Sequence, residues 1–192
     1  LGVYNQAQSL ARRVLILPQT LATAAYSAIS GSERTEAGRL TALGFRQIVI
    51  MCVGMTVAGW ICAPLIPLVF GSDFEASVPL FRLLVPALCF LGMARIFAVY
   101  FSGQLVRPQI PLVINWMMLA VQVALSYLFM DYMETAAAIA YAVLISFFFV
   151  GTAFFMVFVF RKDTPSLVET VRFRREDFEG WKKILRLKKA AP

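Results

Sequence analysis

Five apolar stretches, each long enough to cross a bilayer, predict an all-α fold: a polytopic membrane helical bundle followed by a C-terminal amphipathic helix. Three observations carry this prediction. The 192 residues are 60% hydrophobic with a mean hydropathy of +0.75, whereas soluble domains are roughly 45–50% apolar. No Asp or Glu falls inside any of the five stretches. Turn material separates them: Ser30-Gly31-Ser32-Glu33, Gly71-Ser72-Asp73, Arg107-Pro108-Gln109 and Met130-Asp131-Tyr132. The spans fall at about 3–29, 48–70, 80–103, 111–130 and 136–160, and a basic tail occupies 161–192.

The first span carries a polar stripe. At 3.6 residues per turn Asn5, Gln8, Arg12, Gln19, Thr23 and Ser27 fall within roughly 100° of one another. Such a face either hydrogen-bonds a neighbouring helix or lines a wet cavity. Arg12, with Arg13 beside it, favours the cavity, since a packed interior would have to supply an anion. Pro18 removes a mid-span backbone hydrogen bond and predicts a bend.

Gly54 and Gly59 in the second span, with Gly92 and Gly151 further on, are expected to let helices approach closely. In the third span Arg95 stands amid the apolar residues 85–101, with Ser102 two turns on along the same side. A guanidinium at that depth costs roughly 2.5–3.5 kcal/mol, so it is expected to face a watery cavity or an anion. Arg82, two residues into the span, can snorkel outward. The fourth span repeats the polar pattern with Asn115, Gln122 and Ser126, for which helix packing and cavity lining are both open.

The tail begins with Thr164-Pro165-Ser166 and Glu169, a helix-start pattern with Pro165 set for the first turn. Beyond it Phe178, Trp181, Ile184 and Leu185 share a helical face, and Lys182, Lys183, Arg186, Lys188 and Lys189 occupy the rest. This pattern predicts a helix lying on anionic headgroups, with Trp181, Lys182, Lys183 and Arg186 at the membrane surface.

Charge placement orients the chain. Arg34, Arg39, Arg46 and Arg107 gather around the first and third loops. The second and fourth hold Asp73, Glu75, Asp131 and Glu134. The positive-inside rule then puts the first loop, the third loop and the tail in the cytoplasm. The net charge of +7 is local, with ten of the 18 basic residues following Phe160, so nucleic-acid binding is not expected. Cys52, Cys62 and Cys89 lie in apolar spans as small fillers, and the chain has no histidine, so neither a metal nor a cofactor is expected. Neither a phosphate loop, nor a nucleophile with its base, nor paired carboxylates in one span is present, so an enzyme is not expected.

Two segments resemble bacterial oligosaccharide flippases, the polysaccharide export family within the multidrug/oligosaccharidyl-lipid/polysaccharide exporter superfamily. Leu1-Gly2-Val3-Tyr4-Asn5-Gln6-Ala7 is similar to the entry of their eighth helix, and residues 65–74 to the exit of their ninth. Asn115 resembles a polar position of their eleventh. Two positions depart: Glu134-Thr135-Ala136-Ala137-Ala138 stands where the family often has Gly-Ala-Ala, and Tyr26 where proline is frequent. The resemblance implies that residues 1–160 are helices eight to twelve of a MATE-like two-bundle transporter, with an N-terminal half preceding Leu1. It further implies a lipid-linked anionic oligosaccharide as substrate, carried on polyprenyl pyrophosphate across the bacterial inner membrane. Arg12, Arg13 and Arg95 would meet the phosphates, and Gln8, Gln19, Asn115 and Gln122 would line the cavity. Two alternatives stand beside this. A multidrug exporter of the same superfamily would want a cavity carboxylate, and a non-transporting scaffold would act through its tail.

Overall fold

The computed structural model describes residues 2–173, and these form a helical bundle with five helices long and apolar enough to cross a membrane. They are α1 (Gly2–Gly31), α2 (Arg34–Cys62), α4 (Ser77–Val99), α5 (Gln109–Met130) and α6 (Thr135–Val159). Two short helices, α3 (Leu65–Phe70) and α7 (Leu167–Val171), complete the order. The predicted surface residues Trp181, Lys182, Lys183 and Arg186 lie outside the described residues.

The bundle is organised around α4, which packs against α1, α2 and α6, while α5 lies outside on α6. Contacts fix the directions. Pro18 meets Gly92 and Tyr26 meets Gly103, so α1 and α4 run parallel. Gly44 meets Ile96 and Trp60 meets Arg82, so α2 runs antiparallel to α4. Phe90 stacks edge-on to Phe148, and Phe97 packs on Phe158, so α6 is parallel to α4. One end of the bundle therefore gathers Arg34, Arg39, Arg107, Arg161 and Lys162, and the other gathers Asp73, Glu75, Asp131 and Glu134.

Four of the five spans begin and end close to their expected positions. The second does not: residues 48–70 are not one helix, and α2 starts 14 residues earlier, at Arg34. Hydropathy reports solvent preference and is blind to a helix continuing past the hydrocarbon. Twenty-nine residues make a rod of about 43 Å, against a core of about 30 Å. Glu33 enters it in extended conformation, and the first turn closes from the Ala37 N–H to the Glu33 carbonyl at 2.8 Å. Arg34 and Arg39, expected in the first loop, thus sit on a helix, and Arg46, expected at the helix foot, lies about three turns inside it. At the far end Pro64 and Pro67 lack the N–H groups a continuous helix needs, so α3 forms separately and stops at Gly71, whose φ of 101° suits glycine.

Proline also acts inside α4. Pro86 cannot donate to the Arg82 carbonyl, and the Trp60 indole N–H from α2 donates there instead, at 2.9 Å. Two turns deeper the two helices exchange thiol contacts. Cys52 Sγ reaches the Cys89 carbonyl at 3.7 Å, and Cys89 Sγ reaches the Cys52 carbonyl at 3.5 Å. Both thiols are free and buried, in keeping with their expected filler role, whereas Cys62 is exposed.

After Val99 the helix widens into a π-helical segment, Tyr100–Gln104. Gln104 donates to the Ser32 carbonyl at 3.0 Å, tying this segment to the end of α1. Tyr100 is fully buried against Phe101 and Phe158, and among the described residues its hydroxyl has no hydrogen-bond partner.

The start of the tail is helical, two residues later than Pro165 at the first helical position would place it. Ser166 is the N-cap of α7 and forms a capping box with Glu169, so Pro165 precedes the cap and is not in the first turn. Thr164 faces the other way, donating to the carbonyls of Phe158 and Arg161 at 2.6 and 2.9 Å to close α6.

Two stability measurements follow, both by thermal unfolding in a mild detergent. Trp60→Phe should cost about 1 kcal/mol, and that cost should vanish in a Pro86→Ala background, where the alanine N–H recovers the Arg82 carbonyl. Tyr100→Phe should stabilise by about 1 kcal/mol or more, because it removes a buried donor that has no acceptor.

Candidate functional site

Two parallel helices build the candidate site from the same spacing. Gln19, Ala22, Thr23 and Tyr26 of α1 stand at i, i+3, i+4 and i+7, and so do Arg95, Ala98, Val99 and Ser102 of α4 and its π segment. Each set forms one helical face, and the two faces line an open cleft of about 410 Å³. Arg95 is the charged residue of this lining, and it is exposed. Among the described residues no carboxylate pairs with it.

Backbone proximity shapes the cleft. A Cβ built on Gly92 would come within 2.9 Å of the Pro18 ring, so glycine is what lets α1 and α4 cross here. One turn past the crossing toward the basic end stands Arg95. At the far side of the cleft the Tyr26 ring lies 3.1 Å from the place a Gly103 Cβ would occupy, which closes that end. The α1 hydroxyls do not bridge to α4. Thr23 donates to the Gln19 carbonyl at 2.9 Å and Ser30 to the Tyr26 carbonyl at 2.8 Å, both one turn back on their own helix. The Thr23 oxygen remains an acceptor in the cleft, and Gln19 and Arg95 supply the donors.

Of the expected site residues, the structure brings Gln19 and Arg95 together, with Thr23 and Ser102 from the same expected stripes. Gln8, half-buried, and Arg12, exposed, lie further along α1, outside the lining. Arg12 precedes Gln19 by seven residues and so shares its face, about 11 Å away along the axis. Arg13 turns about 100° from Arg12 and belongs to a different face, with Leu17 and Thr20. Asn115, exposed, and Gln122, half-buried, are on α5, which packs on α6 and does not line the cleft. Ala22, Tyr26, Ala98 and Val99 went unnoticed as site residues, although the repeated i, i+3, i+4, i+7 spacing was there to be read.

A second depression, of about 460 Å³, lies at the basic end between α2 and the α6–α7 link. Its cations Arg39, Arg46 and Lys162 are matched by Glu36, Asp163 and Glu169. Arg39 pairs with Glu36 at 3.4 Å, and buried Arg46 donates to the Glu169 carbonyl at 3.0 Å. This charge-balanced seat holds α7 in place. The Arg95 cleft, with a cation and no anion, is the better candidate for ligand chemistry.

No family model, curated protein or solved structure matches the chain.

Gly92→Ala should cost roughly 1–3 kcal/mol, because α1 must move away from α4 to admit the methyl group. Gly54→Ala is the control: a Cβ there meets nothing within 4 Å, so its unfolding midpoint should not fall and should rise slightly, alanine being the better helix former.

Proposed function

We propose that this chain belongs to a transporter that flips a polyprenyl-pyrophosphate-linked oligosaccharide across the bacterial inner membrane for cell-surface polysaccharide assembly. The observation carrying this reading is Arg95, a guanidinium at membrane depth in an open cleft without a carboxylate counter-ion. A cation in hydrocarbon requires an anion or water, and a pyrophosphate entering the cleft supplies the anion. Arginine's planar fork matches phosphate oxygens in pairs. Gln19 and the hydroxyls of Thr23 and Ser102 offer neutral hydrogen bonds to the first sugar. Arg12, on the same face of α1, extends the polar track toward the acidic end.

Support comes also from the resemblance of residues 1–7 and 65–74 to oligosaccharide flippases, and from the loops at one end, which hold Asp73, Glu75, Asp131 and Glu134 and no Lys or Arg, while Arg34, Arg39 and Arg107 gather at the other. The basic end and the tail would then be cytoplasmic. Transport would proceed by alternating access, with this bundle as one wall of the cavity and a facing bundle as the other. A cationic drug is disfavoured by the same cleft, because its one charge has the wrong sign.

The test is translocation of a pyrophosphate-linked glycan by proteoliposomes bearing the full-length protein. Arg95→Gln should lower the rate about 10- to 100-fold at unchanged abundance, in line with roughly 1.5–3 kcal/mol for a charged hydrogen bond. Arg95→Lys should recover part of it. A parental rate for Arg95→Gln would remove the cleft from the transport path and sink the proposal.

A further inference from the structure

On α1 a second concavity lies beside the polar cleft, of about 630 Å³ and almost wholly apolar. Leu17 and Leu21 of α1 form one wall, and Ile50, Met51, Gly54 and Met55 of α2 the other. Thr20, the polar member of the lining, donates its hydroxyl to the Ile16 carbonyl at 2.8 Å and so spends its donor within α1. Gly54 was expected to admit a neighbouring helix. No atom stands within 4 Å of the position its Cβ would take, so the glycine leaves space and not a contact. Both walls belong to helices long and apolar enough to span a membrane, so the groove lies at membrane depth. Met51 and Met55 give it unbranched, adaptable side chains suited to a flexible chain.

Charge decides what kind of chain. Arg13 precedes Leu17 by four residues and Thr20 by seven, so it stands on the groove face, about one turn beyond the apolar wall. Arg13 is exposed and Arg12 stands on the other face, so the adjacent arginines are divided between the helix face of the groove and that of the cleft. An apolar trough with a guanidinium at one end is complementary to a lipid whose head is a phosphate.

We infer that the α1–α2 groove is a binding site for the hydrocarbon chain of a polyprenyl phosphate-headed lipid, with Arg13 holding the phosphate. This deepens the proposed function and rests on it for the identity of the lipid as the one transported. Phosphate oxygens engage the guanidinium, and the chain lies along Leu17, Leu21 and Gly54.

The test uses full-length protein in phospholipid nanodiscs doped with a polyprenyl phosphate carrying a diazirine in its chain, with adducts mapped by peptide mass spectrometry. Adducts should concentrate in residues 17–24 and 50–58. Gly54→Leu, whose Cβ has no atom within 4 Å and whose longer side chain occupies the groove, should lower them at least tenfold at a thermal stability no lower than the parent's. Arg13→Gln should lower labelling by the phosphate probe several-fold and leave labelling by the uncharged polyprenol alone. Labelling insensitive to Gly54→Leu, an equal Arg13→Gln effect on both probes, or equal labelling by a diazirine phosphatidylglycerol would overturn the site, leaving bulk lipid in the groove. The two readings fail separately. Arg95→Gln at the parental transport rate with phosphate-dependent groove labelling removes the transport reading and keeps a lipid site. Lost transport with groove labelling unaltered by Gly54→Leu does the reverse.

Discussion

Close approach of backbones to α4 is the constraint on which the rest of the bundle depends. Lipid tails are as apolar as leucine, so helices in a bilayer gain little by hiding apolar surface and must gain by packing contact. α4 achieves this on three sides at once. More than half of its apolar stretch, 56%, is buried, against 6% for α5. Gly92 admits Pro18, Gly44 admits Ile96, and Gly151 brings α6 onto the Phe90 carbonyl. Phe45, Phe97, Phe155 and Phe158 then fill the space between α2, α4 and α6 with rings at centroid separations of 5.0 to 6.0 Å.

The same dry surroundings explain the polar details. A carbonyl that loses its helical partner to proline finds no water in hydrocarbon, so Trp60 reaches across from α2 to serve the one that Pro86 abandons. Hydroxyls along α1 return to their own helix for the same reason. Arg95 stands apart from this thrift: it is exposed in a cleft, without a protein anion. Arg12 and Arg13 on α1 are exposed as well, and Arg95 is the one of the three that lines the cleft.

The spans were legible because hydropathy and helix length are both properties of contiguous residues. The α2 boundary was not, since residues 34–47 are helical for reasons outside the apolar run. There Ala37, Gly38 and Thr41 are buried, with Gly38 close against Asp163 and Pro165, a contact between residues over a hundred positions apart. The cleft was half legible. Periodicity put Gln19 with Thr23 and Arg95 with Ser102, but nothing local says that α1 lies beside α4 or that α5 lies on the outer side of α6. Asn115 and Gln122 were grouped with the arginines on polarity alone, and the packing of α5 on α6 separates them.

Arg12 and Arg13 show what a helix does with neighbours in sequence. One step along the chain is about 100° around the axis, enough to send one guanidinium to the polar face and the next to the apolar groove. On the proposed reading α1 then divides an amphiphile's two problems between its faces. The pyrophosphate needs cations along its path, because a bare phosphate in hydrocarbon is prohibitively costly. Arg12 lies six residues before Pro18, and Arg95 three after Gly92, where α1 and α4 cross. With the helices parallel, these two cations are staggered by about 13 Å along the bundle. A head group passing between the ends meets them in series, with Gln19 between and Thr23 just beyond Arg95, while its chain stays in a medium like itself. A lone central cation would hold an anion at one depth. Two at different depths give it somewhere to go.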